Sequence, residues 1–276
     1  MLFGLFKAAR RKWRTARKRR RIRSCVVSFP KAGRTWLRMM IGKALAEQFG
    51  LNEGDALDHI ERLAKRAGAP PFDFTHDGAV AGEVDPSQGR MEDSKRKYRS
   101  KKVLLLVRDP RDVVVSYYFE ATRRRGWFQG ALSEFIRDEE YGVPRIVRFH
   151  RIWQENRGVP QAFMAMRYED MHRDPAAALR QALDFLGCQA VGEAAIRAAV
   201  EFARFENMKK MERQGAFQSD KLRPGDAADA ESYKTRRGIV GGYVDYLSDE
   251  DRAWIAEAIE RLGCPFYSQA AQVESP

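Results

Sequence analysis

Lys31 and Gly33 stand in the run Ser28-Phe29-Pro30-Lys31-Ala32-Gly33-Arg34-Thr35-Trp36-Leu37. Arg108 and Ser116 stand in a second run, Val107-Arg108-Asp109-Pro110-Arg111-Asp112-Val113-Val114-Val115-Ser116. Both runs are suited to binding anions. The first follows the apolar Cys25-Val26-Val27 and leads into a helical pattern, which spells a strand, a tight loop and a helix N-terminus. Amides at such a terminus point outward with partial positive charge and hold phosphate or sulfate groups. Gly33 lets the backbone approach the ligand, and Lys31 adds a mobile cation. The second run follows another buried-strand pattern, Val103-Leu104-Leu105-Leu106-Val107, and delivers Arg108 to the strand end. Arg108 can grip a phosphate bidentately, or form a structural ion pair with Asp109 or Asp112, while Ser116 offers one hydroxyl. Two anion sites at the carboxyl ends of two strands imply a ligand with two separate phosphate-type groups.

The elements that must position these residues follow from periodicity. Residues 25–29 read as a strand, 34–48 as an amphipathic helix ended by Gly50, and 52–69 as a short helix with a polar loop before Pro70-Pro71. Phe72 to His76 alternates like a short strand. Residues 85–102 are polar and read as a surface connection. A strand at 103–107 precedes a helix from Pro110, whose fixed φ suits a first turn. Another strand covers 163–168, and helical periodicity covers 175–186, 192–211 and 248–262. Apolar strands separated by helices give an α/β fold, a three-layer parallel sheet with helices on both faces. Ligands in such sheets sit at the carboxyl ends of the strands, where both anion motifs fall. Arg213 to Gly242 has little apolar periodicity, and a loop this long in a compact domain is usually functional.

With 276 residues and 44% hydrophobic content, the chain suits one large domain with a full core. The net charge of +12 is concentrated in one place. Residues 7–23 hold eleven Lys and Arg and no acid; removing them from the chain's 50 leaves 39 basic residues against 38 acidic ones. Leu2, Phe6, Ala9, Trp13 and Ala16 recur at spacings of four and three, so this segment reads as a basic amphipathic tail that meets an anionic membrane surface. A disordered solubilising arm and a non-specific nucleic-acid contact are the competing readings. The expected organisation is a tail at 1–23, a domain at 24–267 and a C-terminal tail at 268–276. Cys25, Cys188 and Cys264 are odd in number and far apart, which suits inert thiols in a reduced cytoplasmic setting, with peripheral attachment at the inner membrane face through the tail. No apolar run approaches the roughly 18 residues needed to cross a bilayer.

The paired motifs resemble those of sulfotransferases that use 3′-phosphoadenosine-5′-phosphosulfate (PAPS). In that family a Pro-Lys-Ser-Gly-Thr-Thr-Trp type loop holds the 5′-phosphosulfate, and an Arg and a Ser eight residues apart hold the 3′-phosphate, as Arg108 and Ser116 are spaced here. A third family motif, Arg-Lys-Gly, reads here as Arg236-Arg237-Gly238. The resemblance spans roughly residues 24–265 and implies a P-loop NTPase-like fold. It implies a transferase that moves a sulfuryl group from PAPS to a hydroxyl or amine by in-line displacement, releasing 3′,5′-bisphosphoadenosine (PAP), with no metal. Lys31 would stabilise charge on the bridging oxygen. Ala32, Gly33, Arg34, Thr35 and Trp36 would complete the phosphosulfate cradle, with Ala32 and Arg34 standing where the family often has Ser and Thr. Arg237 and the Gly238 amide would close over the 3′-phosphate with Arg236 nearby, the arginines lacking a partner until phosphate arrives. Tyr168 and Phe205 would contact the adenine, or belong to the core.

An acceptor hydroxyl needs a base. His76 suits that role, since its unperturbed pKa is near ~6.5 and many family members have a Thr-His pair at the equivalent point. Asp77 and Glu83 are the carboxylate alternatives. His59, His150 and His172 read as structural, as does the acidic turn at Glu169-Asp170. The acceptor itself stays open among sugars, lipids, peptides and phenols, with the tail favouring a glycan or lipid-linked molecule. The alternative from another class is a P-loop nucleotide kinase, whose Gly-x-x-x-x-Gly-Lys-[Ser/Thr] pattern the chain lacks. A near-neutral domain and the absence of recognition motifs weigh against a specific nucleic-acid partner.

Overall fold

The computed structural model describes residues 21–80, 90–218 and 220–268. Its apolar runs form four strands: β1 (Ser24–Ser28), β2 (Phe72–Thr75), β3 (Lys102–Val107) and β4 (Ala162–Arg167). All neighbours pair in parallel, in the order β2-β1-β3-β4. Between and after them lie α1 (Arg34–Gln48), α2 (Asp55–Asp58), α3 (Ile60–Arg66), α4 (Pro110–Phe119), α5 (Leu132–Arg137), α6 (Val143–Glu155), α7 (Tyr168–Arg173), α8 (Pro175–Leu186), α9 (Glu193–Phe202), α10 (Phe205–Arg213) and α11 (Asp249–Arg261).

Strand side chains alternate between two apolar layers, as the pleat requires. Val26, Leu104, Leu106 and Met166 pack on one face with α1, α8 and α9; Cys25, Val27, Val103, Leu105 and Val107 pack on the other with α4, α6 and α11. This is the three-layer arrangement expected from the sequence. All three cysteines are buried, and burial pushes the Cys25 thiol up to about 12 and those of Cys188 and Cys264 up to about 11. Thiolate chemistry is therefore suppressed at each. No helix among the described residues is long and apolar enough to cross a membrane.

The order of the strands decides where a ligand can sit. From β1 the chain moves outward to β2, returns to the other side of β1 as β3, and continues outward to β4. The direction of progress reverses between β1 and β3, and crevices open at such switch points. The loops after β1 and β3 are those that carry Lys31 and Arg108.

The structure departs from the sequence-based elements in four places. The helix expected over 192–211 breaks at Ala203-Arg204, where Arg204 is extended (φ −55°, ψ 146°), so α10 starts afresh at Phe205. The short helix expected in 52–69 is two pieces, α2 and α3. α5, α6 and α7 fall where no helix was expected, although Val143, Ile146, Val147, His150 and Trp153 follow the helical period and are buried. The polar connection at 85–102 is not wholly at the surface, since Lys95 is fully buried and its Nζ lies 2.6 Å from Asp77 Oδ2. Ile22, two residues ahead of Ser24, is buried against the second apolar layer. Most of the basic tail (1–20), Glu83 and residues 269–276 lie outside the described residues.

Candidate active site

The loop from β1 to α1 turns through two left-handed residues, Lys31 (φ 69°) and Gly33 (φ 92°). A Cβ on Gly33 would lie 2.5 Å from Tyr168 Cδ2, so only glycine fits between the loop and α7. No side chain caps the N-terminus of α1, which leaves its first amides available to a ligand. Ala32 is buried, and Thr35 and Trp36 are half-buried in the first turn, with the indole edge-on to Tyr168 at 5.8 Å.

Arg108 ties this loop to the rest of the site. Its Nη1 donates to the Lys31 carbonyl (3.3 Å), its Nη2 donates to the Ile239 carbonyl (3.1 Å), and the guanidinium lies 4.2 Å over the Tyr168 ring. It also meets Asp112 at 3.3 Å, so the ion pair and the strand-end position coexist. Arg108 Nε is buried without a protein partner. Ser116 sits half-buried two turns further along α4. Asp109 caps α4 by accepting from the Arg111 amide and pairs with the Arg111 side chain, while Glu169 accepts from the Asp109 amide and the Tyr267 hydroxyl. The acidic turn after β4 is thus structural, as expected.

The Arg236-Arg237-Gly238 segment crosses the same end of the sheet, but its arginines already have partners. Arg236 pairs with Glu231 (3.1 Å) and lies between the rings of Phe119 and Tyr246; Arg237 pairs with Asp245 (2.6 Å). The expectation that they wait unpaired for phosphate is corrected by these contacts. Gly238 is left-handed (φ 65°), and a Cβ there would lie 2.4 Å from Phe205 Cδ2. Phe205 therefore packs on this backbone, and Tyr168 is buried between Gly33 and Arg108.

His76 follows β2. Its Nε2 faces Arg34 Nη2 at 2.7 Å and its Nδ1 faces the Ser28 carbonyl at 2.9 Å. A guanidinium only donates, so Nε2 accepts and Nδ1 carries the proton. Burial and the Arg34 charge hold the imidazole well below its usual pKa, so it is neutral. Arg34 Nη1 is buried and lacks a protein partner. Asp77 is committed elsewhere: it is buried, takes the Tyr98 hydroxyl at 2.8 Å, and pairs with Lys95 and Lys97. Two ammoniums and a phenol occupy that carboxylate, which disqualifies it as a mobile base.

Lys31 itself ends on a carboxylate the sequence reading omits. Its Nζ lies 2.9 Å from Glu120 Oε2, and Lys234 Nζ lies 3.4 Å from the same oxygen. Arg124 and Arg125 contact Glu120 Oε1. Glu120 opens a π-helical turn, Glu120–Arg124, that extends α4; such turns are frequent at functional sites. Burial opposes its charge, yet Lys234, Lys31 and Arg124 together hold the carboxyl well below its usual range. Burial also lowers the Lys31 pKa against the pull of Glu120.

His172, read from the sequence as structural, lies at the same end of the sheet. It sits near the rings of Trp36 and Tyr168, and its Nε2 is 3.1 Å from the Gly238 carbonyl. Both positions carry a signal in the sequence, since Glu120 is four residues past Ser116 and His172 four past Tyr168, the spacing that puts side chains on one helix face. His150, by contrast, is fully buried beside Cys264, and burial drops its pKa to about 3, in line with a structural role.

The strand-end arginine and the loop at the helix N-terminus meet at the switch point of the α/β sheet, and the comparisons identify the family. The family described as the sulfotransferase domain matches residues 91–268, well over half of the chain, and the protein belongs to that family. The chain is 25% identical over 172 residues to flavonol 3-sulfotransferase of Flaveria bidentis, covering 58% of this chain and 53% of that protein. It is 24% identical over 265 residues to cytosolic sulfotransferase 16 of Arabidopsis thaliana, covering 85% and 74%. The chain thus spans about half the length of the flavonol enzyme it matches. Among solved structures, retinol dehydratase in complex with androsterone and the inactive cofactor PAP aligns with a TM-score of 0.59 at 17% identity, covering 89% of this chain and 81% of that one. Mouse sulfotransferase SULT7A1 complexed with PAP aligns with a TM-score of 0.58 at 18% identity, covering 92% and 88%. These likenesses agree on the fold.

Proposed function

We propose that the protein transfers a sulfuryl group from PAPS to a hydroxyl or amine acceptor by direct, in-line displacement. The observation that carries this is the junction at the switch point, where Arg108 bridges from β3 to the Lys31 carbonyl and two buried arginine nitrogens, Arg34 Nη1 and Arg108 Nε, lack protein partners. Buried unsatisfied donors are costly, and a ligand with two anionic groups satisfies both. The residues fit PAPS on that ground. Lys31, Gly33, Arg34, Thr35 and the α1 amides would hold the 5′ side, and Arg108 and Ser116 the 3′-phosphate. Trp36, Tyr168, His172, Phe205 and Gly238 would line the nucleoside, with Arg236 and Arg237 bordering it.

When bound, PAPS supplies an activated sulfuryl group. Lys31 stabilises the charge left on the phosphate oxygen as its bond to sulfur breaks. His76, neutral with its lone pair on Nε2, takes the acceptor's proton as the acceptor oxygen bonds to sulfur. Arg34 donates to that same nitrogen, so it must turn toward the phosphates before His76 can act. Retinol dehydratase binds androsterone, which supports a small hydroxylated acceptor here; a glycan or lipid-linked acceptor is the variant that the basic tail favours. The tail would hold the domain at the cytoplasmic face of an anionic membrane, which sedimentation with acidic liposomes at low salt tests.

Calorimetry with PAP and with plain AMP tests the central reading. Losing a charge-assisted bond costs about 1.5–3 kcal/mol, so PAP should bind about ten- to a hundredfold more tightly. Equal binding of the two would overturn the assignment.

A further inference from the structure

We propose that Lys234 is a second catalytic cation, acting with Lys31 on one sulfuryl oxygen at the position where both ammoniums now hold the Glu120 carboxylate. This rests on the sulfotransferase reading above. The geometry is that of a shared oxygen. Lys31 Nζ and Lys234 Nζ lie 2.9 and 3.4 Å from a single atom, Glu120 Oε2. Two ammoniums that can flank one carboxylate oxygen can flank one sulfuryl oxygen, because both are small anionic acceptors of charge-assisted hydrogen bonds. Glu120 thereby competes with the sulfuryl group for the two lysines.

Lys234 is built into place. The buried carboxylate of Glu212, on α10, accepts from the Lys234 amide (2.6 Å), the Thr235 amide (2.8 Å) and the Thr235 hydroxyl (2.6 Å). A buried acid spent on two consecutive amides and a hydroxyl fixes the backbone that carries Lys234. The side chain is mostly buried and turns inward to the Lys31 cluster. The groups facing it are Glu120 and Arg124 of the π-helical turn, Lys31 of the first loop, Arg34 of α1 and His76 after β2. Burial, only partly offset by Glu120, brings its pKa down to about 7. Most of the population is therefore uncharged at pH 8, and an arriving anion should draw a proton onto it.

The test uses the full chain, PAPS, PAP and a generic phenolic acceptor. At pH 8, wild-type protein should take up protons on binding PAPS without acceptor, read from calorimetric enthalpies in buffers of different ionisation heat. Lys234→Met should lose most of that uptake and lower kcat about a hundredfold, the scale of one preorganised donor, with PAP affinity changed less than about threefold. Lys234→Arg should recover part of kcat. Glu120→Gln should tighten PAPS binding about tenfold by removing the competing carboxylate. The double variant Glu120→Gln/Lys234→Met keeps the cluster's net charge, guards against misfolding of the single variant, and should be as slow as Lys234→Met. Near-normal kcat with unchanged proton uptake in Lys234→Met and in the double variant would overturn the proposal. Failure of wild type to bind PAPS would instead overturn the reading it rests on.

Discussion

His76 is held between a carbonyl and a guanidinium, and that pairing sets both its tautomer and its proton affinity. With Nδ1 donating to Ser28, the Nε2 lone pair is the one available to an acceptor. Burial first, then Arg34, keeps the folded-state pKa well below 6.5. The sign for stability follows. Below about pH 6.5 the unfolded chain binds a proton at this position and the folded chain does not, so stability falls as pH drops through that range. For catalysis the same depression keeps the base unprotonated, and the acid limb of kcat/KM should lie below pH 6.5. Arg34→Gln removes the nearest positive charge, so it should shift that limb upward toward 6.5 and raise the imidazole titration seen by NMR. His76→Ala should abolish the limb and lower turnover about a hundredfold or more. An unchanged limb in His76→Ala would return the role to Glu83, since Asp77 is bound to Lys95, Lys97 and Tyr98.

At the scale of elements, the site is made by segments that hold each other in place. Asp112 of α4 accepts from the Gly241 amide (2.9 Å) and the Tyr243 amide (3.1 Å), and Glu212 of α10 accepts from those of Lys234 and Thr235. The segment around Arg236-Arg237-Gly238 is therefore anchored at both ends by buried carboxylates. Hydrogen exchange should find the amides of Lys234, Thr235, Gly241 and Tyr243 protected without PAP, with only modest further slowing on its addition. Fast exchange at these four amides in the absence of ligand would mean that the anchors do not hold. This is also where the sequence was least legible. β1, β3, α1 and α8 were readable because each is a local pattern: an apolar run, a helical period, a glycine or proline at a boundary. The Lys31 and Arg108 loops were readable because their chemistry is written within ten residues. Glu212 and Lys234 meet across 22 residues and Lys31 and Glu120 across 89, and no local period records such meetings. α6 was legible in principle from the period of Val143, Ile146, Val147 and His150, with Pro144 suited to its first turn.

At the scale of the whole molecule, the sheet carries two apolar layers, and the chain must be long enough at its start to complete both. Ile22 precedes β1 and packs into the layer of Cys25, Val27 and Phe29. Its carbonyl accepts from Lys101 Nζ (2.7 Å), the Arg23 amide donates to the Pro71 carbonyl (2.8 Å), and the Arg23 carbonyl accepts from the Lys102 amide (2.8 Å). Those bonds tie the residues before β1 to the entrances of β2 and β3. A chain begun at Arg21 keeps all of them, whereas one begun at Ser24 loses an apolar side chain whose full burial is worth about 1.5–3 kcal/mol, together with the bonds of Arg23. The two shortened chains separate the tail's charge from the domain's stability, since both lack the same nine of the eleven basic residues at 7–23 and differ among these only in Arg21 and Arg23. Both should bind PAP and both should lose sedimentation with acidic liposomes if the tail is a membrane contact. Only the chain begun at Ser24 should unfold at lower temperature, by several degrees for a domain of this size. Equal melting temperatures for the two would show that Ile22 and Arg23 add nothing to the sheet.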